Sequence, residues 1–129
     1  MNTAEIKVPE IRAPEIKAPE IKDWHAHVYF DAATREAAWA LRERIEKQFD
    51  IQMGRFHEKP VGPHPMFSYQ VAFKNDKLAP LISWLTLNHG DLTVFIHPNT
   101  GQDLEDHRDR AVWIGKSVPL VLDIFTKKD

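Results

Sequence analysis

The sequence predicts an α+β fold, a ferredoxin-like sandwich of order βαββαβ in which a four-stranded antiparallel sheet carries two helices on one face. Three observations carry that expectation. Apolar and polar residues alternate with a period of two at 24–30, 66–74 and 92–97. Apolar residues recur at helical spacing between Ala38 and Phe49 and between Leu78 and Leu85. Breaks rich in proline or glycine separate these stretches.

The chain begins with a five-residue repeat, Glu5-Ile6-Lys7-Val8-Pro9, Glu10-Ile11-Arg12-Ala13-Pro14, Glu15-Ile16-Lys17-Ala18-Pro19 and Glu20-Ile21-Lys22-Asp23-Trp24. The recurring proline blocks a helix and the alternating charges keep the segment solvated, so residues 1–22 are expected as an extended arm and 23–129 as one domain. Docking of Ile6, Ile11, Ile16 and Ile21 along a partner is the sharper alternative. A period of five matches neither strand nor helix, which argues against one continuous docking face.

Trp24 to Phe30 reads as the first strand, with Trp24, Ala26, Val28 and Phe30 on one face and His25, His27 and Tyr29 on the other. Asp31 or Thr34 caps a helix running to about Phe49, whose inward stripe is Ala38, Leu41, Ile45 and Phe49. A second strand, Ile51 to His57, is broken at Gly54 and belongs at a sheet edge. Glu58 to Pro65, with three prolines and one glycine, is a stiff loop that carries His64.

Met66 to Lys74 is the third strand, with Phe67, Tyr69, Val71 and Phe73 inward. Asp76 to Asn88 is the second helix, with Leu78, Ile82 and Leu85 inward and Gly90 as its left-handed cap. Leu92 to His97 is the fourth strand, with Thr93, Phe95 and His97 on the face opposite the helices, and Pro98 to Gly101 is a turn. Gln102 to Trp113 is expected as a short helix or loop on one rim. The alternation of Val118, Leu120, Leu122 and Ile124 predicts a fifth strand over Ser117 to Phe125, lying on the open face or on a neighbour's.

The 129 residues, 43% hydrophobic and 28% charged, suffice for one core. A net charge of −2 without a basic run argues against nucleic acid. No apolar stretch reaches the length of a membrane span and no apolar signal segment is visible, which makes the cytoplasm the expected compartment. With no cysteine, any metal must be held by histidine and carboxylate.

His25 and His27, at i and i+2 on one strand face, can offer two imidazoles to one metal. Antiparallel pairing of the first and fourth strands brings His97 beside them. Val or Phe would bury more cheaply at such positions, so three histidines together point to metal binding. Either all three ligate, or Glu58, Asp103 or Asp106 supplies a carboxylate as in the two-His-one-carboxylate set. His64 is expected a cavity-length away, toward Phe30, as a substrate or proton-transfer group. Arg55 and Arg108 are candidates for holding a substrate carboxylate. His107 is either a rim residue for an anionic group or part of a solvated helix turn. Tyr29 is a hydrogen bonder, a ring wall or a core residue.

The segments Trp24-His25-Ala26-His27-Val28-Tyr29-Phe30, Val61-Gly62-Pro63-His64-Pro65, His97-Pro98-Asn99-Thr100-Gly101, Asp106-His107 and Ala111-Val112-Trp113-Ile114-Gly115 resemble the DOPA 4,5-dioxygenase family of small bacterial and fungal proteins, over roughly residues 23–122. The resemblance implies an oxidoreductase of the extradiol type. It would use non-haem iron, Fe(2+), and O2 to open the ring of a catechol such as DOPA or a related aromatic diol. It also implies a ferredoxin-like fold that dimerises, here through the open sheet face or the C-terminal strand. Carried onto this chain, it makes His25, His27 and His97 the metal residues, with His25 alternatively a support for His27, His64 an acid or base or a substrate contact, and Tyr29 a further catalytic residue. Phe95, Tyr29 and Trp113 would then receive the ring. The rival expectations are a metal-free small-molecule-binding domain and a dimerisation or interaction module of the same fold.

Overall fold

A computed structural model describes residues 19–126. The chain runs β1 (Asp23–Phe30), α1 (Arg35–Gln48), β2 (Gln52–Met53), β3 (Phe67–Phe73), α2 (Leu78–Asn88), β4 (Thr93–Asn99), α3 (Asp103–Arg108) and β5 (Val112–Ile114). Single 3₁₀ turns lead into α1 and α2, and another, Leu122–Phe125, lies near the C-terminal end. The repeat arm falls outside the described residues as far as residue 18. The last of it enters β1, with the Lys22 N–H donating to the Asn99 carbonyl at 2.9 Å.

The result is an α+β architecture with an open, five-stranded, antiparallel sheet in the order β2-β3-β1-β4-β5 and three helices. β1 is central and flanked by β3 and β4, as expected; α1 crosses over from β1 to the parallel β2 and α2 from β3 to the parallel β4, each crossover leaving one antiparallel strand between. The expected four-stranded sheet is corrected to five strands. The fifth strand is not Ser117 to Phe125 but Val112–Ile114, paired to β4. Pro119 removes a ladder donor from the predicted segment, which instead follows an irregular course ending in a 3₁₀ turn.

Other boundaries shift for local reasons. The second strand shrinks to two residues, although Gly54 N–H still donates to the Gln70 carbonyl at 2.7 Å and His57 bridges Ser68, as a broken edge strand would. β4 continues through Pro98 to Asn99. Pro98 is tolerated because its partner there is Trp24, near the end of the ladder. Asp31 caps the 3₁₀ turn, accepting from the Thr34 N–H while the Thr34 hydroxyl oxygen accepts from the Asp31 N–H. Gly90, at φ 59°, follows the end of α2.

The core lies between one sheet face and the two long helices. Ala26, Val28 and Phe30 of β1, Tyr69, Val71 and Phe73 of β3, and Val94 and Ile96 of β4 pack with Ala38, Leu41 and Ile45 of α1 and with Leu81 and Leu85 of α2. The inward stripe of α2 is turned from the expected one: Leu81 is fully buried, and Leu78 and Ile82 flank the core. Burying each fully enclosed aliphatic side chain contributes about 1.5–3 kcal/mol. With this face committed to packing, the period-two alternation sends His25, His27, Tyr29, Ser68, Phe95 and His97 to the other side of the same sheet. No described helix is long and apolar enough to cross a membrane.

Candidate metal centre

His25 and His27 leave β1 on one face, and His97 faces them from β4, its Cα directly paired with that of His25. The three rings converge. Their centroids are 5.7 Å (His25–His27), 5.2 Å (His25–His97) and 5.1 Å (His27–His97) apart. One ring nitrogen from each lies within 4.8 Å of the other two. His27 and His97 are buried and His25 is half-buried. Topology therefore brings the three together as the strand pairing predicts.

Hydrogen bonds fix which nitrogens are free. The carbonyl of Pro98 can only accept, so His97 Nδ1 carries the proton donated to it over 2.9 Å, and Nε2 keeps its lone pair. The Nε2 atoms of His27 and His97 are 3.1 Å apart. Two nitrogens bonded at about 2.1 Å to one ion stand about 3.0 Å apart at a right angle. The donor set thus fits a metal ion in chemistry and in spacing. Burial pushes His27 well below the ordinary histidine range, reinforced by the neighbouring histidines. Burial, with His107 nearby, holds His97 at about 3, and burial also lowers His25 against the opposing charge of Asp23. All three are neutral near pH 7, the form that binds metal.

No carboxylate joins this group among the described residues. Glu58 is paired with Arg35 at the surface, and the Asp103 carbonyl holds His107. Asp106 is 1% exposed and spends its oxygens on the Thr100 N–H (2.8 Å), the Thr100 hydroxyl and Arg110 (2.8 Å). Burial alone would raise its pKa, but these donors outweigh it and keep it an ionised carboxylate.

His64 is closer than expected. Its loop turns at Gly62, at φ 54°, with the His64 N–H donating to the Val61 carbonyl, and this folds the ring inward. It lies against His27, the rings tilted by 39° with centroids 4.1 Å apart, and the Tyr29 hydroxyl is 2.6 Å from its Nδ1. Register alone placed the start of β3 opposite Phe30 and could not foresee the inward fold of the loop. Burial pushes His64 down to about 4 and holds the Tyr29 phenol above its ordinary range. Tyr29 therefore keeps its proton, and its hydroxyl shares one hydrogen bond with His64 Nδ1.

Phe95 is fully buried between these groups, stacked on Trp113 at 4.7 Å and near His27 at 5.7 Å, while Trp113 also meets Tyr29 edge-on at 6.1 Å. His107 does not point from a solvated helix turn: its ring lies 4.0 Å from His97 and 4.5 Å from Phe125. Arg108 is exposed and paired with Asp109, and Arg55 is exposed in the irregular segment after β2. Neither has a hydrogen bond to the histidine cluster among the described residues. Sequence reasoning missed Phe125 and the Asp106–Thr100–Arg110 network. The latter left a signal in the helical i, i+4 spacing of Asp106 and Arg110.

Residues 115–126 pass over this face. The Val121 N–H donates to the carbonyl of Pro63, beside His64, and Phe125 reaches His107. The segment covers the open face without being a strand.

The chain is 36% identical over 110 residues to a DOPA 4,5-dioxygenase of Amanita muscaria, covering 78% of this chain and 48% of that protein. It is 36% identical over 113 residues to an uncharacterised 21.2 kDa protein of Botryotinia fuckeliana, covering 78% of this chain and 62% of the other. The chain thus spans about half to three-fifths of the length of these relatives. A crystal structure from Nostoc punctiforme, described as a "putative dioxygenase", superposes with a TM-score of 0.81 at 40% identity, over 82% of this chain and 92% of that one. The model of the Dopa 4,5-dioxygenase family matches residues 24–124, and the chain belongs to that family.

Proposed function

We propose that the protein is an extradiol dioxygenase that opens the ring of a catechol, DOPA or a related aromatic diol, with iron(II) held by His25, His27 and His97. The observation that carries this reading is the convergence of three neutral imidazole nitrogens on one sheet face, within 4.8 Å of one another and, among the described residues, without a carboxylate. Three neutral ligands leave the charge of a divalent ion uncompensated, which suits an anionic catecholate as the further partner. A bound iron(II) supplies a redox path between the electron-rich diol and dioxygen.

The chain's own residues supply orientation, dryness and proton control. Phe95, Trp113 and Tyr29 form an aromatic wall against which a substrate ring can lie. His64, held at Nδ1 by Tyr29 and with its ring 4.1 Å from that of His27, is placed to move a proton to or from the substrate oxygens. His107 donates Nδ1–H to the Asp103 carbonyl at 2.6 Å, which leaves its Nε2 to meet a substrate hydroxyl. Arg55 and Arg108 are retained only as candidates for a carboxylate on the substrate side chain. The βαββαβ part of the sheet is the ferredoxin-like unit. A homodimer joined through the covered face or the C-terminal segment, and a cytoplasmic location, complete the reading.

One observation favours a second reading. The 3.1 Å contact between His27 and His97 is also a hydrogen-bond distance, as two neutral imidazoles would make in a metal-free binding domain. Metal analysis together with anaerobic iron loading, followed by oxygen and a panel of catechols, decides between them. Near-stoichiometric metal and a yellow ring-opened product support the dioxygenase. No metal uptake and no product support the binding domain.

A further inference from the structure

We infer that Asp106 is a positioning residue, whose buried carboxylate sets His107 against the three-histidine cluster and so fixes the group that meets the substrate hydroxyl. The inference rests on the ring-cleavage reading for what His107 does, and on geometry for how it is held. Asp106 accepts from the backbone and hydroxyl of Thr100, one residue beyond β4, and from Arg110, two residues before β5. Arg110 also donates to the Thr100 hydroxyl at 3.0 Å, closing the network. The side-chain hydrogen bonds that join α3 to the end of β4 all pass through this carboxylate.

A buried ion pair is a weak source of stability, because desolvation offsets most of its attraction and apolar packing would serve as well. What it does supply is a fixed register. α3 has only six residues, and its N-cap Gln102 makes no capping side-chain bond, so the helix has little means of holding its own position. It brings one ring to the metal face, that of His107, the residue next to Asp106. That ring lies between His97 at 4.0 Å and Phe125 at 4.5 Å, tilted 35° and 33°, and its Nδ1 is held by the Asp103 carbonyl. Nε2 is the polar atom left for a ligand. A slip of α3 would take the ring away from both His97 and Phe125, while the bond to Asp103, made within α3, would travel with the helix.

The test uses the full chain, labelled with ¹⁵N and free of metal, and reads the histidine side chains by long-range proton–nitrogen correlation. In the wild type, His107 is expected as the Nδ1–H tautomer. In Asp106→Asn its ring proton and nitrogen shifts are expected to move as the ring contacts with His97 and Phe125 are lost, while the Nδ1–H donated to Asp103 within α3 and the Nδ1–H of His97 are retained. In the iron-loaded protein, Asp106→Asn is expected to lower kcat/KM for catechol cleavage by about 10- to 100-fold with bound iron unchanged. Thr100→Val removes one donor to the same carboxylate and reports the same shift if Asp106→Asn does not fold. His107 resonances identical to wild type in the folded variants would overturn the inference, as would a rate loss that only tracks iron loss. A wild type that cleaves no catechol would remove the ring-cleavage reading, while the resonances would still decide whether Asp106 positions His107.

Discussion

The Tyr29 hydroxyl sits 2.6 Å from Nδ1 of His64, and both side chains are buried beneath the sheet's second face. This pairing turns a loop histidine into a fixed one. Its consequence is a separation of roles: His64→Ala is expected to retain metal and lose about 10²–10⁴ in kcat. Tyr29→Phe, which keeps the ring and removes the hydrogen bond, is expected to lose less, about tenfold, with metal content unchanged. Steady-state kinetics beside metal analysis of each variant checks both. Loss of metal in His64→Ala would move that residue into the ligand set.

Stability is expected to depend on pH below neutrality. His97 is held at about 3 and His64 at about 4, both below the 6.5 of a free imidazole, and His27 is lowered as well. As pH falls through 6.5 the unfolded chain takes up protons that the folded chain does not, so unfolding becomes easier. The contribution of these groups is complete above about pH 6.5 and is lost progressively toward pH 4 to 3. Urea midpoints of the metal-free protein should therefore fall between about pH 7.5 and pH 5. In the double variant His64→Ala, His97→Ala the difference should shrink.

The segment that ends in Phe125 covers His107, so Phe125→Ala is expected to act on substrate and not on metal. An aromatic pair contributes about 0.5–1.5 kcal/mol beyond its buried area, which corresponds to a KM raised by roughly 2- to 13-fold. Catechol titrations and metal content, measured on the same preparation, check this. An unchanged KM would leave Phe125 a merely structural neighbour.

The fold was legible where a period was long and uninterrupted. β1, β3 and β4 each show a clean alternation because one face meets the helices and the other does not, and from that alternation the convergence of His25, His27 and His97 followed. β5 was not legible: three residues, Val112 to Ile114, are too short to show a period, while the apolar alternation from Val118 to Ile124 imitated a strand across Pro119. The inward fold of His64 depends on a turn at Gly62, and the covering of His107 depends on where a C-terminal segment without regular pairing comes to rest. Both are tertiary choices with no local period to announce them.

The most direct measurement is the number of metal ions bound per chain, by elemental analysis after anaerobic iron(II) loading, in wild type, His27→Ala and His97→Ala. One ion per wild-type chain is expected. The loss in each variant should exceed the 10- to 100-fold in affinity typical of removing a ligand's supporting partner, with cooperative unfolding retained. Iron bound equally well by His97→Ala, or by no form of the protein, would contradict a metal centre built from β1 and β4.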